Sequence, residues 1–208
     1  MKKFIGFVLI LFYSVIGNSQ SEILNIQDST IYEVSQEFPY GKIHPQAPEA
    51  ISDFDMLIGS SICKSSVLLQ GGKWSGTFDI KWNWKYIMNG RAVQDEGWYH
   101  NQGKETYFTS VRAYNPSQEH WYVSFFTPTM QTTPRTWTGG RKKDANNKDV
   151  IELIEKKTNA NGDMIWNVLT FYDISDSAFH WKGEIANKTK KTEQTFWKID
   201  CVKSEKGK

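Results

Sequence analysis

Residues 76–100 read GTFDIKWNWKYIMNGRAVQDEGWYH, and this stretch decides the fold. Two alternating runs flank Asn89-Gly90, a dipeptide that is the strongest short-range signal for a two-residue hairpin turn of type I′. Before the turn, apolar and aromatic residues alternate with charged and polar ones, which is the period of a strand with two different faces. The stretch therefore predicts a β-hairpin whose two faces differ in chemistry.

Further strand-like runs surround the hairpin, and Gly, Asn, Asp and Pro residues separate them. The predicted strands are 62–70, 74–88, 91–100, 104–114, 120–127, 135–142, 149–156, 164–172, 179–186 and 193–202. Pro48 to Leu57 is expected to form a short helical turn before the first strand. Closely spaced strands with short turns and no amphipathic helix predict an all-β fold, an antiparallel up-and-down β-barrel of about eight to ten strands.

The first residues have the pattern of a secretory signal peptide. Lys2 and Lys3 precede an apolar run from Phe4 to Ile16, and the small residues Gly17 to Ser19 follow it. The predicted organisation is a signal peptide (1–19), a leader segment (20–52) and a barrel domain (53–203). Because the apolar run is short for a transmembrane helix, we expect a periplasmic or secreted protein without stable membrane insertion.

The charged residues are balanced overall but unevenly distributed. The chain has 25 Lys and Arg against 23 Asp and Glu, and the signal peptide accounts for two of the lysines. Acidic residues dominate 20–60, where Lys42 is the only basic residue, so the remainder carries a basic surplus. This surplus fits an anionic small ligand, whereas nucleic acid is not expected as a partner because no concentrated basic stripe exists.

The two cysteines, Cys63 and Cys201, lie in the first and last predicted strands. These strands are neighbours in a closed up-and-down sheet, so the pair is a disulfide candidate, with two buried free thiols as the alternative. The sequence has no CxxC or HxH spacing and no phosphate-binding or dinucleotide fingerprint. We therefore expect neither a metal nor a cofactor.

Turn lengths predict a register for the central strands. A two-residue turn at 89–90 places Lys85 opposite Gln94 and Asn83 opposite Glu96. A three-residue loop at 101–103 then places Glu96 opposite Phe108. On this register one face collects the mostly polar residues Lys81, Asn83, Gln94, Glu96, Trp98, His100, Ser110, Arg112 and Tyr114. The other face collects Phe78, Ile80, Trp82, Trp84, Val93, Tyr107, Val111 and Ala113.

Two arrangements of these faces are compatible with the sequence. The apolar face can form the core while the polar face meets solvent, which is the ordinary arrangement of a half-buried sheet. Alternatively the polar face lines the lumen and the leader covers part of the outside.

Four segments resemble those of small bacterial lipocalin-like (calycin-type) domains of unknown function. They are FDMLIGS at 54–60, GRAVQD at 90–95, VRAYNPSQEHW at 111–121 and FYDISDSAFHWKGE at 171–184. The family pattern places a Trp soon after the Gly of the first segment, where this sequence has Ser60 and Ser61.

The Trp-rich chain with its predicted signal peptide is also similar to secreted dehydratases that degrade the acidic polysaccharide ulvan. That likeness implies a lyase that eliminates water from the terminal uronic acid of acidic oligosaccharides to give an unsaturated uronate. The alternative is a non-catalytic barrel that binds a small ligand or a sugar.

Dehydration of a uronic acid needs a cation for the carboxylate, a base for the C5 proton and an acid for the leaving hydroxyl. Arg112 is the candidate clamp, although pairing with an acid on a neighbouring strand is an equally open role for it. His100, Tyr114 and His180 are the candidate base and acid, with His120 and Tyr122 as further members of this class. The candidate substrate-binding residues are Lys81, Gln94, Trp98 and Lys182.

The alternative site is the opposite face, with Arg91, Asp95, Tyr99 and Tyr122. Trp82, Trp84, Trp137 and Trp181 can stack on sugars or form the core.

Overall fold

The computed structural model describes residues 31–101, 103–129, 135–159, 161–187, 189 and 191–206. The predicted signal peptide and the first part of the predicted leader lie outside these residues. The described strands are β1 (Gly59–Val67), β2 (Phe78–Ile87), β3 (Ala92–Asn101), β4 (Lys104–Asn115), β5 (His120–Phe126), β6 (Arg135–Lys143), β7 (Asp149–Thr158), β8 (Met164–Tyr172), β9 (Ala178–Asn187) and β10 (Thr192–Lys206). A 3₁₀ helix, Glu49–Leu57, precedes them.

The ten strands form one closed antiparallel barrel. Each strand pairs with the next along the chain, and β10 returns to pair with β1. The all-β barrel prediction is thus confirmed, and each strand overlaps a run that the alternation and turn residues had marked. Closure leaves no free edge in the sheet, so backbone pairing with another chain has no template here.

Inward side chains of the described strands form the core, and the 3₁₀ helix closes one end. Ile51, Phe54 and Leu57 of the 3₁₀ helix are completely buried. The Phe54 ring stacks on Trp84 at 5.8 Å between centroids and meets Trp121 edge-on at 4.8 Å. We call this the plugged end; it also carries the loops that follow β2, β4, β6 and β8. The far end carries the loops that follow the other strands.

The hairpin between β2 and β3 has the predicted register but a longer turn. Lys85 pairs with Gln94 and Asn83 with Glu96, as the Asn-Gly dipeptide predicts. Strand pairing ends at Ile87 and Ala92, so the turn comprises four residues. Chain segments preceding the helix dock on this turn, because the His44 amide donates to the Gly90 carbonyl at 3.1 Å.

Gly90 allows that docking, and its replacement is expected to be costly. Gly90 has φ of +74°, and a Cβ there would lie 2.2 Å from the Lys42 carbonyl oxygen. Gly72 has φ of +80°, but a Cβ there would meet no neighbouring atom within 4 Å, so it isolates the backbone effect. We expect Gly72→Ala to lower the free energy of unfolding by about 1 kcal/mol. Gly90→Ala should cost about 1–3 kcal/mol more, through crowding. Equal urea midpoints for the two variants would contradict this account.

A disulfide bond joins the first and last strands. Cys63 lies opposite Cys201 in the β1–β10 pair, and the two sulfurs are bonded. Both residues are buried in the core. The bond therefore crosses the seam at which the barrel closes.

Candidate functional site

The register between β3 and β4 decides which side chains enter the lumen. The sequence predicts a three-residue loop at 101–103, yet Asn101 pairs with Lys104, and Glu96 pairs with Thr109. The predicted pairing of Glu96 with Phe108 is therefore wrong by one residue. Because side chains alternate between the two faces of a strand, this shift turns β4 over relative to the prediction.

The shift divides the predicted site between the inside and the outside of the barrel. Ser110 and Arg112 are buried on the inner face, beside Asp95. Gly97 lies opposite Phe108, whose ring occupies the space that a Cβ at residue 97 would need. The predicted residues Lys81, Gln94, Trp98 and His100 lie on the outer face. The expectation that these residues share a pocket with Arg112 is thus wrong.

Arg112 forms a buried ion pair in the lumen. Its Nη1 donates to Asp95 Oδ1, and the exposed fractions are 3% for Arg112 and 0% for Asp95. Trp82 Nε1 donates to the other Asp95 oxygen at 2.8 Å. The guanidinium also lies over the Trp84 ring, 4.3 Å from its centroid. Of the two roles that the sequence left open for Arg112, the structure has the pair with an acid on the neighbouring strand.

Beyond this ion pair, the lumen contains a cavity of about 130 Å³. Its walls are mainly aromatic and aliphatic, and they include Trp82, Phe108, Trp137, Leu169, Phe171 and Trp181. Four lining residues carry hydroxyl or charged groups: Asp95, Ser110, Arg112 and Arg135. None of the lining residues in the described part of the chain is a histidine. The cavity can thus enclose an apolar group while offering polar contacts at a few points.

Arg135 lies at the end of the cavity away from the plug. Its Nη2 donates to Glu155 Oε2 at 2.5 Å, and its guanidinium lies over the Trp137 ring at 4.5 Å. Asn167 Nδ2 also donates to Glu155 Oε2, at 3.2 Å. Burial alone would raise the pKa of Glu155, but the hydrogen bonds and charges of Arg135, Asn167 and Lys157 hold that pKa below its usual range. Glu155 is therefore ionised at neutral pH and positions the Arg135 guanidinium.

The other predicted catalytic residues lie apart from the cavity. His180 is on the outer face of β9, where its Nδ1 lies 2.5 Å from Asp200 Oδ1. Lys182 is also on the outside and pairs with Glu184 at 2.9 Å. Tyr114 lies at the plugged end, where its ring contacts Trp121 edge-on. The structure therefore does not bring His100, Tyr114, His180 and Arg112 together.

Tyr114 borders a polar crevice beside the plug. The crevice has a volume of about 430 Å³, and its lining includes His120, Asp53 and Arg141. Burial raises the pKa of Asp53, whose carboxylate accepts a hydrogen bond from Trp121 Nε1 at 3.0 Å. Arg141 is half exposed, and its Nη2 lies 3.7 Å from Asp149. The crevice thus places a half-exposed cation near a phenol and an imidazole.

Sequence reasoning missed the partners of Arg112 and the role of Arg135. Asp95 was predicted only as part of the alternative site, because a three-residue loop at 101–103 places it on the opposite face of the sheet from Arg112. Arg135 and Glu155 lie on the neighbouring strands β6 and β7 but are not directly opposite each other, so no local pattern connects them. Gly97 was the available signal, since an isolated glycine within a strand can mark a close approach by a neighbouring group, here the Phe108 ring.

Comparison with protein-family models finds no match for the chain, and comparison with curated proteins finds none either. Among the described residues, no helix is both long and apolar enough to cross a membrane. In the same part of the chain, no group of three or more His, Cys, Asp or Glu side chains is placed to hold a metal ion.

Proposed function

We propose that the barrel binds one small, compact and largely apolar ligand in its lumen and acts as a binding protein. The observation that carries this proposal is the aromatic-lined cavity between Trp82, Trp137 and Phe171. Small barrels hold single small ligands in this way, and pockets of this type combine apolar walls with a few polar groups. The closed ten-stranded antiparallel architecture is consistent with the lipocalin-like resemblance.

The size of the cavity limits the ligand to about one ring. An apolar cavity of about 150 Å³ is large enough for benzene, and this cavity is slightly smaller at about 130 Å³. A polar substituent on the ring would meet Ser110 or Arg112 on one side, or Arg135 at the other end of the cavity. Asp95 pairs with Arg112 and Glu155 pairs with Arg135, so both guanidinium charges are already balanced, which favours a neutral substituent.

Binding of toluene, phenol and benzoate, followed by calorimetry and tryptophan fluorescence, tests this proposal. Leu169→Phe places a larger side chain in the cavity wall and is expected to weaken binding at least tenfold. Leu69→Phe is the matched control, because Leu69 is half exposed and lies outside the cavity. Overpacking costs about 1–3 kcal/mol, so thermal unfolding should show that Leu169→Phe remains folded at the assay temperature. Absence of binding by all three probes, or unchanged binding by folded Leu169→Phe, would refute the lumen site.

The polar crevice supports a second candidate, the uronate dehydratase that the resemblance implies. Arg141 would neutralise the substrate carboxylate. One of Tyr114 and His120 would take the C5 proton, and the other would protonate the hydroxyl that leaves as water. An elimination produces a conjugated unsaturated uronate, which absorbs ultraviolet light. We expect any such activity on uronate-terminated oligosaccharides to fall at least tenfold in Tyr114→Phe or Arg141→Gln. Tyr32→Phe is the control and should keep full activity, because Tyr32 lines neither the crevice nor the other cavities. Turnover lost in both crevice variants would establish an enzyme in addition to a binding protein.

We also propose that the protein works in the periplasm or outside the cell. The Cys63–Cys201 disulfide supports this location, because disulfides persist in oxidising compartments and are rare in reducing ones. The predicted signal peptide would supply the route. Fractionation of cells that produce the tagged full-length chain tests the proposal, and accumulation of unprocessed protein in the cytoplasm would refute it.

A further inference from the structure

Two large aromatic side chains lie exposed side by side on the outside of the barrel. Trp98 and Tyr107 are direct neighbours across the β3–β4 pair, with exposed fractions of 43% and 49%. By contrast, Trp84, Trp121 and Trp137 are at most 4% exposed. The Tyr107 hydroxyl donates to Glu105 Oε2 at 3.0 Å, which fixes the edge of its ring. This exposed pair is not needed for the core.

Strand pairing arranges polar side chains in rows beside the two rings. The first row is Lys81–Trp98–Tyr107, the second is Asn83–Glu96–Thr109–Phe126, and the third is Lys85–Gln94–Val111–Ser124. A groove of about 510 Å³ runs along the first two rows, and Thr127 and Pro128 complete one side. The outer face therefore presents a platform of two rings next to a row of amide, carboxylate and hydroxyl groups.

The polar rows are held in place by their own hydrogen bonds. Gln94 Nε2 donates to Thr109 Oγ1 at 3.0 Å, and Lys85 Nζ lies 3.0 Å from Glu96 Oε2. Asn83 Oδ1 is buried in the groove wall and has no hydrogen-bond partner within the described part of the chain. Glu96 and Thr109 also line the groove, so a carboxylate and a hydroxyl lie beside the two rings.

We propose that this groove binds a neutral hexopyranose unit of an oligosaccharide. A pyranose has an apolar face of C–H groups, which can pack on the amphipathic rings of Trp98 and Tyr107. Its hydroxyl groups both donate and accept, so they match the amide of Asn83 and the carboxylate of Glu96. On this face Lys81 and Lys85 balance Glu96 and Glu105, so no net charge selects an ionic ligand. The barrel has no free strand edge, so a peptide could not bind here by extending the sheet.

This site is independent of the lumen, and neutral sugars provide a direct probe of it. We would titrate the full chain with cellohexaose, mannohexaose and β-1,4-galactohexaose and follow calorimetric heats and tryptophan fluorescence. At least one of these should bind, and Trp98→Ala should weaken that binding at least tenfold. Trp74→Ala is the matched control, because Trp74 is 39% exposed but lies outside the groove. Leu169→Phe should leave sugar binding unchanged, since it alters only the lumen.

Several results would overturn the proposal. They are the absence of binding by all three sugars, equal affinities for Trp98→Ala and the parent, and equal losses in Trp98→Ala and Trp74→Ala. Sedimentation would detect a further alternative, in which Trp98 and Tyr107 join two copies of the chain. Self-association that Trp98→Ala abolishes, without any sugar binding, would assign the face to that contact and reject the sugar site. Failure of the lumen probes would leave this conclusion unaffected, since the two sites share no residue that the test alters.

Discussion

Asp95→Ala is expected to lower the free energy of unfolding by about 3–5 kcal/mol, which is the cost of leaving one member of a buried ion pair alone. The Arg112 guanidinium would keep its charge in the lumen, where it is 3% exposed, and would lose its carboxylate partner. Trp82 Nε1 would lose its acceptor at the same time. Urea denaturation followed by tryptophan fluorescence measures the effect as a fall in midpoint at constant slope.

Two further variants test whether the loss of stability comes from the unpaired buried charge or simply from the removal of a carboxylate. Asp79→Ala removes the β2 carboxylate of an exposed pair with Lys64 on β1. Exposed pairs contribute little, so the urea midpoint of this variant should stay close to that of the parent. The double variant Asp95→Leu with Arg112→Met replaces both charges by apolar groups, and such replacements are often neutral. The account would be wrong if the double variant were as unstable as Asp95→Ala.

The buried pair also explains how an aromatic lumen can carry polar groups. Asp95 accepts from both Arg112 and Trp82, and Arg112 packs on Trp84, so the charges are held by fixed partners. A ligand in the cavity would then meet a preorganised polar spot, and binding would not include the cost of ordering it. This is the reason that we assign the pair to positioning and not to proton transfer.

Strand positions and one register could be predicted because their signals are local. Alternation and turn residues mark each strand, and Asn89-Gly90 fixes the pairing of β2 with β3. The two cysteines lie in the first and last strands, and these strands are neighbours in a closed up-and-down barrel, so their proximity was predictable as well. The strands and the hairpin register need only a few adjacent residues and the rule that consecutive strands pair, whereas the cysteine pair also needs closure of the barrel.

The side chains of the candidate site could not be placed from the sequence in the same way, because their positions depend on the next loop. Asn101-Gln102-Gly103 is compatible with a two-residue or a three-residue connection, and the two differ by one residue in register. That difference sends Arg112 into the lumen and leaves Trp98 outside. The deciding interactions, Phe108 against Gly97 and Arg112 with Asp95, form only once the strands are paired. The contact between Arg135 and Glu155 depends on the pairing of β6 with β7, farther along the chain.

Loss of the disulfide is the second large effect that we expect. Cys63 and Cys201 close a loop with a sequence separation of 138 residues. In the chain-entropy account, a crosslink over so long a loop stabilises the fold by about 5 kcal/mol, and measured losses for native disulfides are about 2–5 kcal/mol. Cys63→Ser with Cys201→Ser should therefore lower the free energy of unfolding by about 2–5 kcal/mol, measured by urea denaturation without reductant.

Reductant supplies the control for this prediction. Dithiothreitol should lower the midpoint of the parent toward that of the double variant and should leave the double variant unchanged. The β1–β10 pairing continues on both sides of the bridge, from Gly59–Lys206 to Val67–Trp197. The folded double variant should therefore keep the lumen cavity and bind the same probes with similar affinity at a temperature well below its midpoint. Two free thiols in the unfolded, unreduced parent would contradict the bridge itself. A strong loss of binding in the folded double variant would instead show that the bond shapes the cavity as well as stabilising the closed barrel.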